Sequence, residues 1–339
     1  MLMMTCRKCL FLNTIIIPVY AIALLLATPA SIAQTNNALA QLLPQRPILM
    51  IVPNAAGGPS DYIARVIVPK LSEATGQNIV VDNRASANGL TATEYAARAT
   101  PNGSVLAVGN TGTHAINATL YKKPPYDPVR DFAPVAAVVS SNLVLVINAR
   151  SPLANFRDFI ALAKKHPGTV NLGIAGATGE IATNALKLAA GIELNNIPYK
   201  GGVPAMIAVM SGEIQATITT SAGAITQVES GKLRAIGVTG VRRDVKYPGV
   251  PTFMESGVEG YAIDMWFGLF APAKTPPRIV QAYHREITRI VALPEIRDRL
   301  LAQGYEILDS TPEQFAALVK RDTDKYRKII IDSKMQQLE

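Results

Sequence analysis

The chain has 339 residues, 49% of them hydrophobic and 17% charged, which supports a packed interior, excludes a disordered chain and suggests about two domains. Lys and Arg number 33 against 25 Asp and Glu, a formal charge of +8. That excess is scattered. Its densest run, Lys320 to Lys328, is diluted by Asp322 and Asp324 and reads as the solvated face of a terminal helix, not a nucleic-acid stripe.

Arg7 and Lys8 precede an apolar run from Leu10 to Ala27, and Ser31 and Ala33 then offer small residues at a cleavage site. A charged start, an apolar centre and an A-x-A-like end predict a signal peptide over residues 1–33, cut near Ala33, and export to the periplasm. A retained anchor is the competing reading, but the uninterrupted apolar stretch Val19–Ala27 is short for a membrane span. Both cysteines, Cys6 and Cys9, fall in this leader, so the mature chain is expected to carry no disulfide and no cysteine chemistry.

From Arg46 onward, short β-rich runs alternate with amphipathic stretches, the pattern of an α/β fold. The first set predicts strands at Ile48–Pro53, Asn78–Asp82, Ser104–Gly109 and Pro134–Val139, with helices at Ser60–Ala74, Gly89–Ala99 and Thr113–Tyr121. The second predicts strands at Leu143–Asn148, Val170–Ile174, Asn196–Tyr199, Gln215–Thr219 and Leu233–Thr239. Helices between them are expected at Phe156–His166, Thr178–Ala190, Val203–Ser211 and Ala222–Ser230. A last strand, Met265–Pro272, leads into helices from Pro276 onward. We read a discontinuous first domain, 34–140 with 241–339, and a second domain, 141–240. Each is a mostly parallel sheet flanked by helices, and a binding cleft lies between them.

Two glycine loops stand at matching strand-to-helix turns, Pro53-Asn54-Ala55-Ala56-Gly57-Gly58-Pro59-Ser60-Asp61 and Gly173-Ile174-Ala175-Gly176-Ala177-Thr178-Gly179. Glycine there lets the backbone approach a ligand, and the helix N-terminus behind supplies unpaired N–H groups that favour an anion. For either loop alone, a tight turn is the simpler explanation; their recurrence in both halves favours binding. Asp61 reads most simply as a first-turn acid complementing the helix dipole. Neither loop is a phosphate-binding G-x-x-x-x-G-K-[ST] or a dinucleotide fingerprint, and the chain has no G-x-S-x-G elbow and no H-E-x-x-H. Of three histidines, His114 follows a strand end and could reach the cleft, while His166 and His284 read as helix surface.

Several motifs in order resemble the periplasmic solute-binding proteins of tripartite tricarboxylate transporters, the Bug family. They are Pro53…Gly57-Gly58…Asp61, Asn83-Arg84…Asn88-Gly89…Pro101-Asn102-Gly103, Tyr126-Asp127-Pro128…Asp131-Phe132-Ala133-Pro134-Val135, Pro198-Tyr199-Lys200-Gly201-Gly202-Val203-Pro204-Ala205, and Pro251-Thr252…Trp266…Ala271-Pro272. Ser86 and Asn102 stand where the family usually has glycine and aspartate, and Thr219-Thr220-Ser221-Ala222 is more hydroxyl-rich than its pattern. The resemblance implies a two-domain Venus-flytrap fold, type II-like, that traps a di- or tricarboxylate, acidic amino acid or aromatic acid and delivers it to a membrane permease. No catalysis, cofactor, metal or nucleic acid is implied, and a monomer is expected. By position, the resemblance assigns ligand contacts to Asn54, Ala55, Ala56, Gly57, Gly58 and Asp61, to Asn110, Thr111, Thr113 and His114, to Gly176, Ala177, Thr178 and Gly179, to Tyr199 and Gly201, and to Thr219, Ser221 and Ala222. The alternatives are an exported α/β hydrolase-type enzyme and a ligand-loaded adaptor to a membrane sensor.

Overall fold

The computed structural model describes residues 38–199 and 201–339; the signal-peptide expectation lies outside the described residues. After a short helix α1 (Ala38–Leu42), strands β1 (Ile48–Val52), β2 (Ile79–Asn83) and β3 (Val105–Asn110) run parallel in the order β2-β1-β3. β1 is apolar at every position because helices cover both its faces. Helix α2 (Pro59–Thr75) buries Ile63, Ile67 and Leu71 with Ile48 and Met50 on one side. Helix α3 (Leu90–Ala97) sets Ala92 and Ala96 with Ile51 on the other. A π-helical turn, Gly112–Ile116, and α4 (Asn117–Leu120) follow β3.

β4 departs from the expectation of two strands. It is one 17-residue strand, Phe132–Asn148. The polar Ser140-Ser141-Asn142 suggests a loop, yet these residues stay in register with Trp266, Met265 and Asp264 of β9 (Asp264–Pro272). β4 thus belongs to two sheets. Its first part pairs β9, which in turn pairs β3 antiparallel.

Leu143–Asn148 carries the second wing. It lies antiparallel between β7 (Ala216–Thr220) and β8 (Leu233–Val238), and β7 continues through β5 (Asn171–Ala175) to β6 (Asn195–Tyr199) in parallel pairing. Helices α5 (Phe156–Lys165), α6 (Gly176–Ala190), α7 (Gly202–Ser211) and α8 (Ser221–Glu229) connect these strands. Helices α9 (Pro277–Val291), α10 (Pro294–Ala302) and α11 (Pro312–Asp332) complete the chain, with a two-residue β10 (Glu306–Ile307) on the first part of β4. α9 buries Tyr283, Ile287 and Ile290 in the first-wing core.

The chain passes between the wings at Asn142-Leu143 and returns through Thr239 to Asp264. Leu143 N donates to Thr239 Oγ1 at 3.0 Å, and Ile263 N donates to the Thr239 carbonyl at 2.9 Å. Only glycine fits at 240, because a Cβ there would overlap the Asn142 side chain and lie 2.5 Å from Asp264 Oδ1.

Candidate functional site

The loops after β1 and β3 meet at the carboxyl edge of the first wing. Asn54, Ala55, Ala56 and Gly57 are exposed. Gly57 has φ 82°, and a Cβ there would meet nothing, so its outer face is open. Asp61 is buried beneath the loop. Its carboxylate accepts from Gly57 N at 2.8 Å and from Arg65 Nε at 2.9 Å, and the Arg65 guanidinium holds its carboxyl below the usual range. Asp61 therefore clamps the loop. Asn110 joins the two loops: its Oδ1 accepts from Thr113 N at 3.1 Å and its Nδ2 donates to Ser60 Oγ at 3.4 Å. Thr111 Oγ1 accepts from Trp266 N at 2.9 Å, which ties the same turn to β9.

His114 does not face open space, contrary to the expectation of a ligand contact. Its ring is fully buried, stacked on Phe270 at 3.8 Å between centroids and edge-on to Phe132 at 4.5 Å. Nδ1 lies 2.9 Å from Thr113 Oγ1. Desolvation lowers its pKa to about 3, so the ring is neutral and acts as an aromatic wall.

The second wing holds a cavity of about 290 Å³ where β5 and β7 end and α6, α7 and α8 begin. Of the expected residues, Thr178, Gly179 and Thr219 line it. Gly176 and Ala177 precede them in the same turn, and Gly201, at φ 145°, takes a conformation closed to other residues as it caps α7. Tyr199, Ser221 and Ala222 do not line it. The Tyr199 hydroxyl donates to Glu213 Oε1 at 2.9 Å, and the Ser221 side chain is buried beside Gly304. Sequence reasoning missed Leu143, Met206, Ile218, Gly223 and Met265, which also line it, and Thr220 lies within the noted Thr219–Ala222 segment. Gly202 and Val203 also line it, and they lay within the quoted Pro198–Ala205 motif. Gly202 is needed there, since a Cβ would lie 2.6 Å from Thr219 Oγ1.

Asn54–Asp61 lie outside this cavity, but α6 packs against the Gly112–Ile116 turn of the first wing. A shallower groove of about 780 Å³ lies beside α3, away from the glycine loops. Arg84 pairs with Asp82 at 2.9 Å and Arg98 with Glu94 at 2.8 Å, while Arg46 donates to Ser104 Oγ at 2.6 Å. Among the described residues, no cluster of three acidic, His or Cys side chains could hold a metal ion, and no helix is long and apolar enough to cross a membrane.

Residues 63–335 match the family model described as the tripartite tricarboxylate transporter family receptor. The chain belongs to this family. BugT of Bordetella pertussis is 31% identical over 86% of this chain and 90% of its own. The protein from the tcbD-tcbE intergenic region of Pseudomonas sp. strain P51 is 32% identical over 93% of each. MatC (Rpa3494) of Rhodopseudomonas palustris, solved with bound malate, superposes with a TM-score of 0.74 at 29% identity over 85% of this chain and all of its own. R. palustris Rpa4515, solved with adipate, gives 0.76 at 29% over 86% of this chain and 98% of its own. The family's members are periplasmic solute-binding receptors, not enzymes. The resemblance and the two-domain binding-protein fold hold, and the hydrolase reading falls.

Proposed function

We propose that this receptor binds a small organic carboxylate between its wings and delivers it to the membrane permease of a tripartite transporter. The observation that carries this reading is the placement of helix N-termini at the carboxyl edges of both wings. α2 begins behind the open Gly57 loop, and α6, α7 and α8 begin around the second-wing cavity. Each offers N–H donors and a positive dipole end to an anion. Relatives solved with malate and adipate support the same ligand class.

In this reading the domains are 34–140 with 241–339, and 141–240, and they close about the crossings at Leu143 and Thr239. The site draws on the Asn54–Gly58 loop, on Asn110 and Thr113, on Gly176–Gly179, and on Gly201 and Thr219. The leader is removed near Ala33, so intact-mass measurement of the exported protein should give Gln34 as its first residue, and the mature protein works as a monomer. A thermal-shift screen of that protein against di-, tri- and aromatic carboxylates tests the binding claim. A ligand at a hundred times its Kd should stabilise the fold by about 2.7 kcal/mol; no shift with any carboxylate refutes it.

A further inference from the structure

The second-wing cavity combines threonines and glycines with apolar side chains. Its polar lining comes from Thr178, Thr219 and Thr220 and from glycines. Thr220 Oγ1 already accepts from Gly223 N at 3.2 Å. Thr219 is 6% exposed, and its hydroxyl has no hydrogen-bond partner among the described residues although it lines the cavity. That hydroxyl is therefore free to donate to a bound acceptor. Leu143, Met206, Ile218 and Met265 line the same cavity, together with the exposed Val203. Val203 is 64% exposed and Ile207, one turn further along the same face of α7, is 55% exposed, so apolar surface continues outward. Among the described residues, no charged side chain lines this cavity.

We infer that the carboxylate taken by this receptor has a hydrocarbon body, an aryl ring or an unsubstituted chain, that enters this cavity while a carboxylate head meets the hydroxyls and helix N-termini. This rests on the carboxylate-binding reading above and narrows it. The size agrees: an apolar cavity of about 150 Å³ suffices for benzene, and about 290 Å³ leaves room for a head group. A hydroxyl on the body of the ligand, placed against Met206 and Ile218, would lose its water and find no partner, which weakens binding by about tenfold. A methylene placed there should strengthen it by about fourfold. The two thioethers let the wall adapt to a ring or a chain.

Calorimetric titration of the mature protein with adipate, 3-phenylpropionate, malate and citrate decides the matter. The expected result is adipate or 3-phenylpropionate binding at least tenfold more tightly than malate and citrate. Val203→Ser, a change at an exposed position, should weaken the hydrocarbon acid several-fold while the melting temperature of the ligand-free protein stays unaltered. Tighter binding of malate or citrate overturns the inference while the carboxylate reading stands. Binding of none of the four, with none in the wider screen, overturns both.

Discussion

Gly179 offers a clean separation of binding from folding. It lies in the first turns of α6, where its backbone is helical, and a Cβ built there comes no closer than 3.8 Å to any neighbour, the Ile218 carbonyl oxygen. Gly179→Ala therefore meets neither strain nor clash. Alanine favours a helix interior over glycine by about 1 kcal/mol, so the ligand-free variant should melt at the parent temperature or up to about 4 °C above it. The added methyl, however, enters the wall of a cavity of about 290 Å³. Crowding a close-fitted site by one methyl costs about 1–3 kcal/mol, or roughly 5- to 150-fold in Kd. Thermal melting without ligand and calorimetry with it read the two effects separately. Parent-like affinity would show that Gly179 does not face the ligand, and a large fall in the ligand-free melting temperature would show that the space around it is misjudged.

Gly58 stands opposite: its φ of −76° suits any residue, and a Cβ would press only on the Ala55 carbonyl at 3.2 Å, so Gly58→Val should fold and lose affinity; retained affinity reduces the loop to a turn. His114, neutral with a pKa of about 3, takes up no proton where the unfolded chain does, so its contribution, complete above about pH 6.5, fades by up to about 1.4 kcal/mol per unit as the pH falls toward 3. Urea titrations of His114→Phe should show a shallower acid limb than the parent, and identical limbs contradict this. Asp264 carries the opposite sign: burial raises its pKa to about 6, so it favours folding below about pH 3.8 and costs up to about 3 kcal/mol once ionised above 6. Asp264→Asn should gain more stability at pH 8 than at pH 5, and an equal change at both sinks the reasoning.

Much of this fold was legible because its signals are periodic and local. The Ile48–Val52 run, the Pro59 and Gly76 that bound α2, and the helix from Pro277 each declare themselves. β4 did not, because Ser140-Ser141-Asn142 is polar, yet Ser141 and Asn142 are buried by the crossing of the chain, which only tertiary structure creates. β10 has two residues and no period to read. At the site, the glycine loops were readable as backbone features. Side-chain direction was not: Tyr199 pairs with Glu213 and His114 stacks on Phe270, both distant in sequence. Met206 and Met265 carry no sequence signal for a ligand and reach the cavity only because α7 and β9 bring them there.

In the proposed function, one carboxylate is gripped from both wings. Small-angle scattering of the mature protein, free and saturated with the carboxylate that gives the largest thermal shift, tests it most directly. Donors on each wing serve only one end of the ligand, so closure about Leu143 and Thr239 should accompany binding. The saturated protein should have the smaller radius of gyration; an unchanged radius with the site fully occupied would rule out a grip from both wings.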